Sequence, residues 1–331
     1  NEAVWYRRTC DATSKPILAM YSPDSPYKVY SLEYWKSDAW DPTDYGQTYD
    51  FSKPFFEQFN ELFTKIPHPN LIQKNNVNSE YTNHTLNLKN VYFSVSADTA
   101  EDSSYLFNAI LRVKNCYDMH LSNDCEFCYE LVDCSKSNRL FFGQNCEACL
   151  DSVLLYDCRN CSDCFGCVGL RNKQYCIFNV QYSKQEYIEK LKEYWNGGYI
   201  SFLEGRKIFE ELKLTVPRKY AQIINSTNVL GDDIVNSRNC QYVFSVKNNV
   251  ENCKYGYRVW ENSKDGYDAF VAWKGAELFY EVLSVMAQRT YFSAYIWGGF
   301  DVSYSINCFD CNNLFGCVGL RNKSYCILNK Q

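Results

Sequence analysis

Residues 165–177 read FGCVGLRNKQYCI and residues 315–327 read FGCVGLRNKSYCI, identical except for Gln174 against Ser324. An internal duplication of this kind decides an architecture before local propensity does. The same offset of 150 places Phe59, Glu61, Leu62 and Pro67 on Phe209, Glu211, Leu212 and Pro217, and Asn75 and Asn78 on Asn225 and Asn228. The expected division is an N-terminal piece over 1–50, a first module over 51–179 and a second over 180–331. Gln331 is the counterpart of Gln181, after which the first module runs on into YSKQEY, so the natural chain is expected to continue.

A shorter period runs inside each module. Every twelfth residue from Phe93 gives Phe93, Tyr105, Tyr117, Tyr129, Phe141, Val153, Phe165 and Ile177, all apolar; the counterpart runs Val243, Tyr255, Tyr267, Phe279, Tyr291, Ser303, Phe315 and Ile327. A second column two residues on holds Val95, Phe107, Met119, Leu131, Gly143, Leu155 and Cys167. An i, i+2 relation is the strand period, so both columns are expected to point inward. Short strands at this spacing, with Asn-, Asp- and Ser-rich corners such as Ser122-Asn123-Asp124, predict a mainly β fold, a parallel β-solenoid or β-helix. Stacked inward rings need room, so two 12-residue steps, about 24 residues, are expected per coil.

Helices are expected to brace the modules. Ser52-Lys53-Pro54 opens one that Pro67 ends, and Ser183-Lys184-Gln185-Glu186 is a capping box that opens a second, stopped by Gly197-Gly198. A third is expected at about 202–214, by the offset from the first.

The 331 residues carry 46% apolar and 22% charged side chains and a formal charge of −5, with 28 Tyr, 21 Phe and 7 Trp. That is a foldable chain, with no apolar run long enough to cross a bilayer as a helix. The acidic balance argues against a nucleic-acid phosphate backbone as partner. The 18 cysteines demand an explanation.

Cys158-x2-Cys161-x2-Cys164-x2-Cys167 has the thiolate density of a ferredoxin loop, but at the offset Cys164 falls on Leu314, which argues against an iron–sulfur cluster. Both modules keep C-x2-C-x5-C-x8-C: Cys158, Cys161, Cys167, Cys176 and Cys308, Cys311, Cys317, Cys326. Four thiolates can hold zinc, and the first pair has suitable spacing. Against that, Cys134, Cys146 and Cys158 fall in one 12-residue column and Cys149 and Cys161 in another, as packed side chains would. Buried free or disulfide-linked cysteine is therefore preferred, with no cofactor expected and zinc as the competing reading. Free or zinc-bound thiols would fit a cytoplasmic protein and disulfides an extracellular one.

Cys10-x2-Thr13-x17-Ser31-x2-Tyr34 has zinc-ribbon spacing with one cysteine left, expected to fold by packing Trp5, Tyr30, Trp35 and Trp40. The strings NEAVWYRRTCD, SDAWDPTDYG, YDFSKPFFEQF, NSEYTNHTLNLKNVY and the doubled FGCVGLRNKxYCI resemble a group of uncharacterised cysteine-rich repeat proteins from environmental candidate-phyla bacteria. The resemblance implies zinc-ribbon-like ends joined to this repeat, with cysteine usual at the positions of Thr13, Ser31 and Tyr34, and implies no activity.

Histidine is limited to His68, His84 and His120, none in a triad-like setting. The acidic clusters Glu101-Asp102 and Asp232-Asp233 are not shared between modules; Arg171, Lys173, Arg321 and Lys323 are, and form a candidate ridge for an anionic ligand, with a solvated turn as the simpler reading. The leading expectation is a non-enzymatic scaffold that self-associates or binds an extended ligand. A carbohydrate-active β-helix lyase or hydrolase is the alternative, and a nucleic-acid-associated zinc-ribbon protein the third.

Overall fold

The computed structural model describes residues 3–331; Asn1 and Glu2, at the start of the N-terminal piece, lie outside them. The protein is mainly β, with long sheets of parallel strands. The described residues fall into two compact units, one of residues 3–8, 16–23 and 70–218, the other of 9–15, 24–69 and 219–331. The helices that the sequence division assigns to the second module therefore lie in the first unit.

In unit 1 a ten-stranded sheet runs from Glu80–Asn83 to Val180–Gln181 beside a four-stranded one. The first strands alternate between the two sheets; from Tyr117–His120 onward neighbours follow one another along the chain, and Tyr117 pairs with Tyr129, Tyr129 with Phe141, Phe141 with Val153 and Val153 with Phe165. Unit 2 holds an eight-stranded parallel sheet from Ile223–Ile224 to Ser324–Ile327. Its partners are offset by 11 to 13 residues, as in Ile223 with Ile234, Cys253 with Gly266 and Cys311 with Gly299.

The backbone explains how such short connections can return a strand to a parallel neighbour. From Asn115 to Phe178 every third residue has φ between 47° and 71°. Each left-handed residue turns the chain, so successive three-residue segments face in different directions. Asn and Asp adopt this conformation most readily and occupy many of the positions. Their side chains form ladders: Asn78 Nδ2 donates to Asn90 Oδ1 at 2.8 Å, Asn90 to Asp102 at 2.8 Å, Asn239 to Asn252 at 3.1 Å and Asn252 to Asp265 at 2.8 Å.

Burial follows the same period of three. Cys116, Met119, Ser122, Cys125, Cys128, Leu131, Cys134, Ser137, Leu140, Gly143, Cys146, Cys149, Ser152, Leu155, Cys158, Cys161, Cys164 and Cys167 are all buried. This corrects the expected orientation of part of the aromatic column, of which Val243 and Phe279 do lie in the core of unit 2. Met119, Leu131 and Leu155 point inward as expected, but Phe93, Tyr105 and Tyr117 are exposed, and Phe165 and Ile177 are buried on the outer side in the cluster beneath the helices. The i, i+2 rule assumes an extended residue between the two positions; Asp118, Glu130 and Leu154 are left-handed, so their flanking residues face opposite ways.

The helices are α1 Leu32–Lys36, α2 Phe55–Lys65, α3 Lys184–Tyr194 and α4 Tyr199–Thr215. Ser183 and Glu186 make both bonds of the expected capping box, and Gly197 ends the α3 segment at φ 86°. Pro54, rather than Ser52, is the N-cap residue of α2. Gly298 and Gly299, a pair that by residue type alone reads as a turn, lie within the strand Glu277–Ser303. There the close approach of the Cys311 carbonyl leaves no room for a Cβ on Gly299.

Two helices roof equivalent places. In unit 1, Gly205 of α4 packs against Phe165, and Val216 lies over Gly169. In unit 2, Phe55 of α2 packs on Phe315 at 4.8 Å, and Ile66 lies over Gly319. The pairs 205 and 55, 216 and 66, 165 and 315, and 169 and 319 all differ by 150.

Asn179 and Asn329 repeat the correspondence. Asn179 Oδ1 accepts from Val168 N at 2.8 Å and its Nδ2 donates to Val168 O at 2.9 Å; Asn329 does the same to Val318 at 2.8 and 2.8 Å. In each case one side-chain amide stands in for the next strand and satisfies an edge peptide.

Candidate functional site

All 18 cysteines are free and buried. Every one except Cys10 donates its S–H to the carbonyl two residues before it, at 3.1–3.6 Å. Many also reach a carbonyl nine residues on, as Cys158 does to Cys167 O at 3.5 Å and Cys317 to Cys326 O at 3.3 Å. Serine takes the same positions: Ser152 Oγ donates to Leu150 O at 2.7 Å and accepts from Cys164 N at 3.1 Å. A small side chain with one weak donor fits a narrow interior whose inward carbonyls need partners.

The two sets of candidate ligands differ from each other. Cys158, Cys161, Cys164 and Cys167 are successive inward residues and Cys176 pairs with Cys164, whereas in the second copy Cys308, Cys311 and Cys317 are inward and Cys326 pairs with Leu314. Among the described residues, no three His, Cys, Asp or Glu side chains are arranged to hold a metal ion. Hydrogen bonding to neighbouring thiols, then burial, pushes Cys149, Cys158 and Cys164 far above the ordinary thiol range. Burial raises Cys308 strongly and Cys317 to about 12. Hydrogen bonds from neighbouring thiols act in the opposite sense on Cys128 and Cys161, which accept them and are held below the ordinary thiol range, so it is the raised, protonated thiols that are poor nucleophiles.

The basic residues are engaged within their own units. Arg171 donates to Asp157 Oδ1 at 2.9 Å, and Lys173 to Gln181 at 3.3 Å. Arg321 lies over Trp35 at 5.2 Å and Trp40 at 5.8 Å and donates to Ser37 O at 3.2 Å, while Lys323 reaches Asp41 at 3.2 Å. The acidic clusters are paired too: Glu101 with Lys89 at 2.6 Å and Lys114 at 3.6 Å, and Asp233 with Lys247 at 2.8 Å. The Lys89 bond first, then the two lysine charges, hold Glu101 below the usual carboxylate range, and Arg139 and Arg289 do the same for Asp151 and Asp301.

The ribbon-spaced residues come together around Cys10. Its Sγ accepts from Ser31 N at 3.2 Å, Ser14 is left-handed and donates to Cys10 O at 2.9 Å, and Ser31 Oγ caps α1 by accepting from Tyr34 N at 3.3 Å. Tyr30 and Trp35 pack on Trp40 at 5.7 and 5.9 Å, as expected; Trp5 instead meets Phe93 at 4.9 Å in unit 1.

His68 is buried, with Nε2 at 2.8 Å from Phe63 O and its ring against Phe63 and Tyr27. Burial lowers its pKa to about 4, against 6.5 for the free side chain. The unfolded chain therefore takes up a proton that the folded one refuses between pH 6.5 and 4. Stability is full above pH 6.5 and declines as pH falls, by about 2 kcal/mol at pH 5 from this residue. Urea midpoints at pH 7 and pH 5 should show the decline, and His68→Leu should reduce it by that amount.

The exposed feature is a pair of aromatic ladders. In unit 1, Tyr92, Phe93, Tyr105 and Tyr117 lie bare, with Tyr92 and Phe93 at 5.9 and 5.7 Å from Tyr105. In unit 2, Tyr242 and Tyr255, each 55% exposed, stack at 5.4 Å and 7°. Phe270 meets Tyr257 at 5.3 Å, and Phe292 stacks on Tyr304 at 4.7 Å. Of these rings, Phe93, Tyr105, Tyr117 and Tyr255 stood in the columns that sequence reasoning turned inward, and the others it missed; a spacing of cysteines in multiples of three was the signal for the orientation.

No family model matches the chain, and no curated protein matches it. Solved structures that match include the crystal structure of a "putative acetyltransferase from Desulfovibrio desulfuricans G20", with 12% identity over 73% of this chain and a TM-score of 0.13. The chain spans 60% of that structure's length, and a likeness at this level carries no argument. Among the described residues no helix is long and apolar enough to cross a membrane.

Proposed function

We propose that this protein is a non-enzymatic scaffold built from two parallel β-solenoid modules, which binds an extended ligand along its outward aromatic ladders. In this reading one coil takes about twelve residues, half the 24 expected from ring volume, because most of the rings are outside and aliphatic side chains, serines and thiols fill the interior, with Phe279 admitted opposite Gly266. Sheet neighbours twelve residues apart, with four left-handed turns between them, support that coil. The repeated helix seats and Asn clamps support the two modules.

The observation that carries the binding reading is the exposure of stacked rings at successive neighbours, Tyr242 on Tyr255 and Phe93 on Tyr105. Aromatic rings left in water cost hydration free energy, and a contiguous exposed apolar stripe marks an interaction surface. A row of flat apolar faces suits a polymer of ring-shaped units such as a linear polysaccharide.

The test is native electrophoresis through gels containing soluble linear glucans or xylan. The chain should be retarded by at least one of them, and Tyr242→Ala with Tyr255→Ala should cut the retardation several-fold at unchanged circular dichroism. Equal mobility in every gel would remove the polysaccharide reading. Bond cleavage in the same polymers would favour the enzyme alternative.

A further inference from the structure

Unit 2 carries a groove of about 720 Å³ between α2 and the outer face of its sheet. Phe56, Phe59, Phe270, Phe292 and Tyr304 wall it, and Asp268 and Glu281 stand along it. Its origin can be read from the repeat. Phe292 is the counterpart of Phe142, which in unit 1 is covered by Phe202 of α4 at 4.8 Å. The helix α4 has 17 residues and α2 has 11, and α2 begins at the counterpart of Gly205. The stretch Tyr199–Glu204, which covers Phe142 in unit 1, thus has no helical counterpart on unit 2. The groove is a helix seat that the shorter helix leaves open.

The helix α4 also carries an unused face. Phe202, Gly205, Phe209 and Leu212 point to its own sheet, while Tyr199, Ile200, Leu203, Arg206 and Lys207 share the opposite side, an arc of about 120° at 100° per residue. Tyr199 and Ile200 are 73% and 74% exposed. Two large apolar side chains with two cations one to two turns further on complement a groove with aromatic walls and two carboxylates.

We propose that unit 2's groove receives the outward face of α4 from a second copy of this chain, with Ile200 and Leu203 entering between the rings and Arg206 and Lys207 meeting Asp268 and Glu281. The contact goes beyond ligand binding by the ladders. Tyr255, Phe270, Phe292 and Tyr304 of the ladder line the groove, so a seated helix and a ladder-bound ligand compete on unit 2, whereas Ile200 and Leu203 of α4 belong to no ladder and their loss separates the two. Apolar insertion supplies the affinity, and the charges fix direction and reject the alternative seating.

Sedimentation velocity on the full chain from about 1 to 100 µM should show mass rising above that of the single chain. The pair Ile200→Glu, Leu203→Glu should leave it monomeric. Arg206→Glu with Lys207→Glu, or Asp268→Lys with Glu281→Lys, should each weaken association about tenfold or more, and mixing these two charge-reversed proteins should restore it. All the substituted side chains lie at the surface or along the open groove, and unchanged circular dichroism will confirm that the variants are folded. A chain that stays at monomer mass at the highest concentration overturns the proposal, as does association that neither charge reversal weakens, or a mixture that fails to associate.

Discussion

Gly266→Ala should destabilise unit 2 by about 3 kcal/mol or more, a cost at the upper end of what overpacking a core exacts. A Cβ on Gly266 would lie 1.9 Å from Phe279 Cζ and 2.0 Å from Cε2, and that ring is only 2% exposed, so it cannot swing into solvent. Gly266 and Phe279 are direct partners on adjacent strands, and a residue with no side chain there is what admits a phenyl ring to an interior otherwise filled by aliphatic side chains and cysteine. Phe279→Ala should cost about 3–5 kcal/mol through the cavity it leaves. Because each change relieves the other's defect, the double variant should cost clearly less than the sum of the singles. Chemical denaturation of the four proteins measures this directly. Additive losses, or a Gly266→Ala variant as stable as the parent, would mean that the ring and the glycine do not face each other. Against a total stability of about 5–15 kcal/mol, either single change is enough to populate the unfolded state measurably on mild heating.

The β class, the parallel tendency and the places of the helices were legible in sequence because they rest on strong local signals: a recurrence at twelve, the capping box at Ser183, and prolines at 54 and 67. The orientation of the rings was not legible, because strand reasoning assumes extended backbone. Nothing in the letters of Tyr117-Asp118-Met119 announces that Asp118 is left-handed, and that one torsion places Tyr117 in water and Met119 in the core. The clue was present in the cysteines. Gaps of 3, 6 and 9 in Cys158, Cys161, Cys167 and Cys176 read as a possible ligand set, yet they are multiples of the same three-residue step that places Ser122, Leu131 and Leu140 inside. The candidate ridge Arg171, Lys173, Arg321 and Lys323 was visible only as charge. That Arg321 spans two tryptophans while Arg171 meets Asp157 depends on residues more than ten positions away, and no local pattern encodes such partners. The groove beside α2 was out of reach for the same reason: it exists because one helix is shorter than its counterpart.

The inward three-residue step makes the thiols the most direct reporters of the whole account. If all 18 lie in the interior as free thiols, none can meet a disulfide reagent without opening of the fold. Reaction should then be slowed by about three orders of magnitude or more relative to the unfolded chain, since it must proceed through opening that costs several kcal/mol. The deciding measurement is a thiol titration at pH 8 in the presence of a metal chelator and without reductant, first on the native protein and then in denaturant. Essentially no rapid reaction is expected in the native state, and 18 thiols per chain after unfolding. Several thiols reacting within seconds in the native protein, with or without metal release, or a denatured count well below 18, would contradict this.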